Sequence, residues 1–150
     1  MTRNSPLLFY SIFHCSAELR YIGAMQQVLK IAGDTLKVSY QRWGAGNAKK
    51  VLCLHGWLDN SNSFSYLGPH LAKHDFEVVA VDQFGHGRSD HFKQLSSYAI
   101  FSSYCLSIQE ALGWEKSHVL GHSMGANIGL LYAGSFPERI DRLALIEGIG

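Results

Sequence analysis

Only three cysteines occur in the chain, Cys15, Cys53 and Cys105, and no two stand in C-x-x-C spacing. An odd count without that spacing excludes a dense disulfide scaffold and a zinc ribbon. Cys53 lies in an apolar run and reads as a core thiol. This usage fits a reducing compartment, so a cytoplasmic location is expected. An excess of charge of either sign is also missing. Thirteen Lys and Arg stand against 12 Asp and Glu, a formal net charge of +1. That balance offers no electrostatic grip on nucleic acid or an anionic membrane surface. No apolar run approaches the length of a membrane span. No cluster has metal-ligand spacing and no G-x-x-x-x-G-K run could cradle a phosphate, so neither a metal nor another cofactor is expected. Internal repeats, low-complexity tracts and linkers are absent. What remains is globular in composition, 47% hydrophobic and 17% charged over 150 residues, enough for one domain with a core.

The N-terminus is ambiguous. Pro6 to Phe13 is apolar and follows Arg3, a faint signal-peptide pattern. However, that run is short, and His14-Cys15-Ser16-Ala17-Glu18 makes a poor cleavage site. A recognisable fold pattern starts just after Met25. Residues 1–24 therefore read as an extension or the product of a misassigned start, and residues 25–150 as the domain.

Within that domain, Val28 to Ile31 and Leu36 to Tyr40 alternate in and out around Gly33-Asp34, predicting a β-hairpin. Lys50 to Leu54 and Phe76 to Val81 are continuous apolar runs, the pattern of strands covered on both faces. Ser63 to Lys73 carries Phe64, Leu67 and Leu71 at helical spacing, with a kink expected at Gly68-Pro69. Tyr98 to Leu112 predicts a second helix with Ile100, Tyr104, Ile108, Ala111 and Leu112 on its apolar face. Ser117 to Leu120 reads as a strand, the segment from Ala126 towards Phe136-Pro137 as a helix, and Arg142 to Ile146 as a further buried strand. Alternating strands and helices build a mostly parallel sheet with helices on both faces.

One turn in this pattern is chemically distinctive. Gly121-His122-Ser123-Met124-Gly125 has G-x-S-x-G spacing, with a strand before it and a helix after it. Such a turn forces a strained backbone on Ser123 and presents its hydroxyl at a helix N-terminus, where N–H groups favour negative charge. Gly121 and Gly125 leave space where side chains would clash. Two other strand ends carry unusual residues, His55-Gly56-Trp57-Leu58-Asp59-Asn60 and Asp82-Gln83-Phe84-Gly85-His86-Gly87-Arg88-Ser89. The carboxyl ends of strands are where open α/β sheets hold their chemistry.

The three motifs, in this order, make residues 26–150 resemble the α/β-hydrolase superfamily, and the run from Val51 to Asn60 resembles its serine-hydrolase-like branch. The resemblance implies the α/β-hydrolase fold with an N-terminal antiparallel hairpin, and hydrolysis of a carboxylic ester or related acyl substrate. It implies Ser123 as nucleophile and the backbone N–H groups of Trp57 and Met124 as oxyanion donors. His55 and His122 fall beside the substrate pocket. His55 reads either as a hydrogen-bonded loop former or, less simply, as a base, and Trp57 either lines the acyl pocket or packs. The D-x-x-G-H-G-x-S run is architectural in such proteins, with Asp82 and His86 satisfying backbone groups.

A serine nucleophile also needs an imidazole base oriented by a carboxylate. Glu147, just after the strand to Ile146, matches one of two places where the superfamily keeps that acid. The alternative is a charged residue ending a strand. No histidine follows Ser123, although the family's base comes late in the chain. The expectation is a piece that ends before the cap and last strands, with Leu143 to Ile146 left as an exposed, apolar sheet edge and catalysis collapsed. Non-catalytic ligand or partner binding and an inactive fragment are the competing readings. Oligomeric state and substrate identity are not legible.

Overall fold

A computed structural model describes residues 26–31, 36–91 and 97–148. The N-terminal extension and the Gly33-Asp34 turn lie outside the described residues. Six strands form one sheet: β1 (Gln27–Ile31), β2 (Leu36–Trp43), β3 (Lys49–Leu54), β4 (Phe76–Val81), β5 (Ser117–His122) and β6 (Ile140–Ile146). Their spatial order is β1-β2-β4-β3-β5-β6. The hairpin β1-β2 is antiparallel, and β2 joins β4 antiparallel. The β4-β3-β5-β6 ladder is parallel throughout. The described helices are α1 (Leu67–Ala72), α2 (Tyr98–Ala111) and α3 (Met124–Ser135), with short 3-10 turns at Ser61–Phe64 and Pro137–Arg139.

The period of two along the central strands splits the core into two layers. Leu52, Leu54, Val79, Val81 and Val119 pack with Cys105, Ile108, Ile128 and Tyr132 of α2 and α3. Val51, Cys53, Val78 and Ala80 face the other way, against Phe64, Leu67 and Leu71. Continuous apolar runs are what strands covered on both faces require.

Two expectations are corrected, and of the two readings of the last strand one holds. The helix anticipated over 63–73 is broken earlier, into the 3-10 turn and α1. The Asn60 side chain accepts from the Asn62 N–H and starts that turn. Pro69 then sits in the first turn of α1, where a missing N–H costs no intrahelical bond, and Gly68 lies flat on the Trp43 ring. Second, α2 buries Ser102, Cys105, Ile108 and Gln109, while Ile100 faces solvent. Gln109 turns inward because it is fully used there: its amide donates to the Arg139 carbonyl at 2.9 Å and it accepts from the Tyr132 hydroxyl. The strand ending at Ile146 is not the buried strand its apolarity suggests but the exposed edge also expected of it. β6 is the sheet edge among the described residues, with Leu145 and Ile146 each 44% exposed. It packs on α3 through one face, and its other face opens into an apolar groove of about 700 Å³ beside α1.

Candidate active site

Parallel β3, β4 and β5 end at the same edge, so their following loops meet there. Ser123 stands between β5 and α3 with φ 51° and ψ −114°, outside the regions a non-glycine residue adopts freely. Its N–H donates to the Ile146 carbonyl at 2.9 Å, and its carbonyl receives the Ala126 N–H at 2.9 Å. The junction is cramped because two glycines let main chains touch. A Cβ on Gly121 would lie 2.6 Å from the Ala126 Cα. One on Gly125 would lie 2.5 Å from the Leu54 carbonyl carbon and 2.7 Å from the His55 oxygen. The Met124 N–H opens α3, so by position it has no intrahelical acceptor.

The loop after β3 comes down beside the serine. A Cβ on Gly56 would meet the Ser123 Cβ at 3.4 Å and the His122 Nδ1 at 3.2 Å. Next come Trp57, 67% exposed, and Leu58, 82% exposed and held at φ 57°. Among the described residues no main-chain hydrogen bond takes the Trp57 N–H. His55 is fully buried. Its Nδ1 lies 2.7 Å from the Gly56 carbonyl, and its Nε2 accepts the Gln83 N–H at 2.9 Å. A carbonyl only accepts and an N–H only donates, so the ring is neutral with its proton on Nδ1. Burial lowers its pKa below the ordinary 6.5, outweighing the Gly56 bond that favours the cation. Both ring nitrogens are thus consumed in holding the loop, which leaves His55 none for substrate chemistry.

Gln83 went unnoticed in the sequence, yet it ties the β3 and β4 loops together. Its main chain serves His55 Nε2 and its side-chain amide donates to the His55 carbonyl. The only signal was its place as a variable residue of D-x-x-G. The Asp82 carboxylate does satisfy backbone groups, accepting from Ser61 N–H at 2.8 Å and Arg88 N–H at 2.9 Å. Gly85 and Gly87, at φ 78° and 53°, turn His86 inward, where its Nδ1 lies 3.0 Å from the Phe84 carbonyl.

Register in the β5-β6 ladder brings Glu147 to the same edge, because His122 pairs with Ile146. Glu147 adopts φ 49° and points its carboxylate at His122, with Nε2 to Oε2 at 3.7 Å. Asp59 reaches into the same neighbourhood. Burial pushes its pKa up, but the Ser63 and Asn60 hydrogen bonds and the nearby His55 and His122 outweigh that and hold it below the ordinary 3.8. The edge therefore gathers Ser123, the Gly56-Trp57 loop, His122 and Glu147, and sets His55 behind them. No described side chain hydrogen-bonds the Ser123 hydroxyl.

A mostly parallel sheet with a strained serine between one of its inner strands and the next helix defines a hydrolase-type architecture. The alpha/beta hydrolase fold family matches residues 49–149, and the chain belongs to that family. A serine hydrolase-like protein of Homo sapiens is 40% identical over 121 residues, covering 79% of this chain and 59% of that protein. The solved structure of a hypothetical protein from Pseudomonas aeruginosa PAO1 is 40% identical with a TM-score of 0.76, covering 83% of this chain and 43% of its own. A thioesterase domain from the curacin biosynthetic pathway is 30% identical with a TM-score of 0.74, over 82% and 46% of the two chains. The chain thus spans from 43% to 59% of the length of these relatives. No helix among the described residues is long and apolar enough to cross a membrane.

Proposed function

We propose that this chain carries the nucleophile and oxyanion hole of a serine hydrolase acting on a carboxylic ester or related acyl substrate. One observation carries the reading: the positive-φ Ser123 at the β5-α3 junction, with the Gly56 loop so close that a Cβ on Gly56 would meet the Ser123 Cβ at 3.4 Å. Ser123 Oγ attacks the acyl carbon, and the carbonyl oxygen becomes an anion received by the Trp57 and Met124 N–H groups. Losing one such donor typically costs about 100- to 1,000-fold in rate. Collapse of the tetrahedral intermediate expels the alcohol or thiol, and water later cleaves the acyl-enzyme. The names of the serine hydrolase-like relative and the thioesterase domain support an acyl substrate. Glu147 stands where the triad acid can lie, but its neighbour here is His122. No histidine follows Ser123 in the sequence, so the reading places the proton acceptor outside these residues. A missing base lowers serine-triad turnover on the order of a million-fold. Two buried free thiols, with burial pushing Cys105 up to about 12, support the cytoplasmic reading.

The test is prolonged exposure of the chain to excess alkyl fluorophosphonate, because a serine without its base is labelled slowly, followed by intact-mass and peptide analysis. The expected result is one slowly formed adduct on Ser123, none on Ser123→Ala, and ester turnover far below that of complete serine hydrolases. Equal labelling of both proteins, or none in a cooperatively melting chain, refutes the nucleophile. Among the described residues no imidazole lies on Ser123 Oγ, which favours a second reading, a non-catalytic member that uses the same pocket for binding. Silence toward the probe is its mark.

A further inference from the structure

His86 is 8% exposed. Its Nδ1 lies against the Phe84 carbonyl, which can only accept, so the proton of the neutral ring is on Nδ1 and Nε2 is a bare acceptor. That Nε2 is buried and has no partner among the described residues. Buried polar atoms are almost always paired, and an orphan marks an ordered water, a partner that arrives later or a role in chemistry. Among the described residues, two other rings with nitrogen touch His86, those of His55 and Trp57, each with centroids 5.2 Å away and edge-on. His55 has both nitrogens engaged. Trp57 does not: its ring is the exposed one, and no hydrogen bond among the described residues uses its indole N–H. An unclaimed acceptor and an unclaimed donor therefore sit on two touching rings. One belongs to the loop that follows β4, the other to the residue assigned as oxyanion donor.

We propose that His86 is a positioning residue for the oxyanion loop: rotation of Trp57 brings its indole N–H onto His86 Nε2, latching the main-chain N–H of Trp57 toward Ser123. This rests on the serine-hydrolase reading for its purpose, but not for its geometry. Gly85 and Gly87 acquire a reason beyond turn-making, because their positive φ delivers the ring beneath the loop. The latch closes when an acyl group fills the space beside Ser123 and the exposed indole is pressed inward.

The experiment is the indole region of the ¹H–¹⁵N spectrum of the chain, free and after fluorophosphonate treatment. Three tryptophans give three signals, and Trp57→Phe assigns one. The Trp57 indole signal is expected to move downfield and exchange more slowly after phosphonylation. It should respond to His86→Phe, which keeps a ring and removes the acceptor, and recover in His86→Gln, which restores one. Phosphonylation should slow about tenfold in Trp57→Phe and in His86→Phe, the loss of one hydrogen bond. The double variant should be no slower than either, because the two act as one unit. An indole signal indifferent to His86 with and without probe, or additive rate losses, overturns the latch. A responsive indole in a chain that forms no Ser123 adduct leaves the latch standing and sinks the serine-hydrolase reading.

Discussion

Gly125→Ala tests the tightest point of the site. A methyl group on residue 125 would lie 2.5 Å from the Leu54 carbonyl carbon and 2.7 Å from the His55 oxygen. Both are main-chain atoms at the end of β3, so relief requires the strand and α3 to part. Ordinary overpacking, where side chains can shift, costs about 1–3 kcal/mol. With backbone as the obstacle the cost should exceed about 3 kcal/mol, against a total stability of about 5–15 kcal/mol for a domain. At roughly 2–4 °C per kcal/mol for a domain of this size, the melting temperature should fall by at least about 6–12 °C. Gly134→Ala is the matched control in the same helix. Nothing lies within 4 Å of its Cβ position, so only helix propensity acts, a gain of about 1 kcal/mol and about 2–4 °C. Thermal melts by circular dichroism, paired with urea unfolding, measure both. A Gly125→Ala protein melting within about 2 °C of the parent would show that β3 and the elbow do not meet as described, and the placement of Ser123 would go with it.

Two further outcomes follow from the same geometry. The neutral His55 has a folded pKa below its unfolded 6.5, so its contribution is complete above pH 6.5 and is lost as pH falls through the folded value. Melting temperature should drop as pH is lowered from 7.5 toward 5, and less steeply in His55→Phe; parallel profiles would refute the neutral-ring assignment. Exposed β6 should template association, so Ala144→Lys on its open face should slow the growth of light scattering at 37 °C, and unchanged kinetics would point to another surface.

The order of elements was legible in the sequence because apolar runs and glycine-flanked motifs act locally. The runs 50–54 and 76–81 could only be covered strands, and Gly121 to Gly125 could only be useful where a strand meets a helix. Face and edge were not local. Ile100 sits at helical spacing with Tyr104 and Ile108, but the α2 face is decided by Tyr132 and Arg139, which lie 23 and 30 positions after Gln109 and give it its partners. The apolarity of β6 says that the strand suits a buried place, while its neighbours decide whether it has one.

The same division runs through the site. The chain itself specified which residue is strained at the elbow, because the φ 51° of Ser123 follows from glycines that permit a tight strand-to-helix turn. Only the tertiary structure decided how the three loops hold one another. His55 is consumed by Gln83, Glu147 meets His122 rather than solvent alone, and His86 lies beneath Trp57. Each of those contacts joins strands adjacent in the sheet but distant in the chain, and hydrogen-bond partners of that kind leave no periodicity to read.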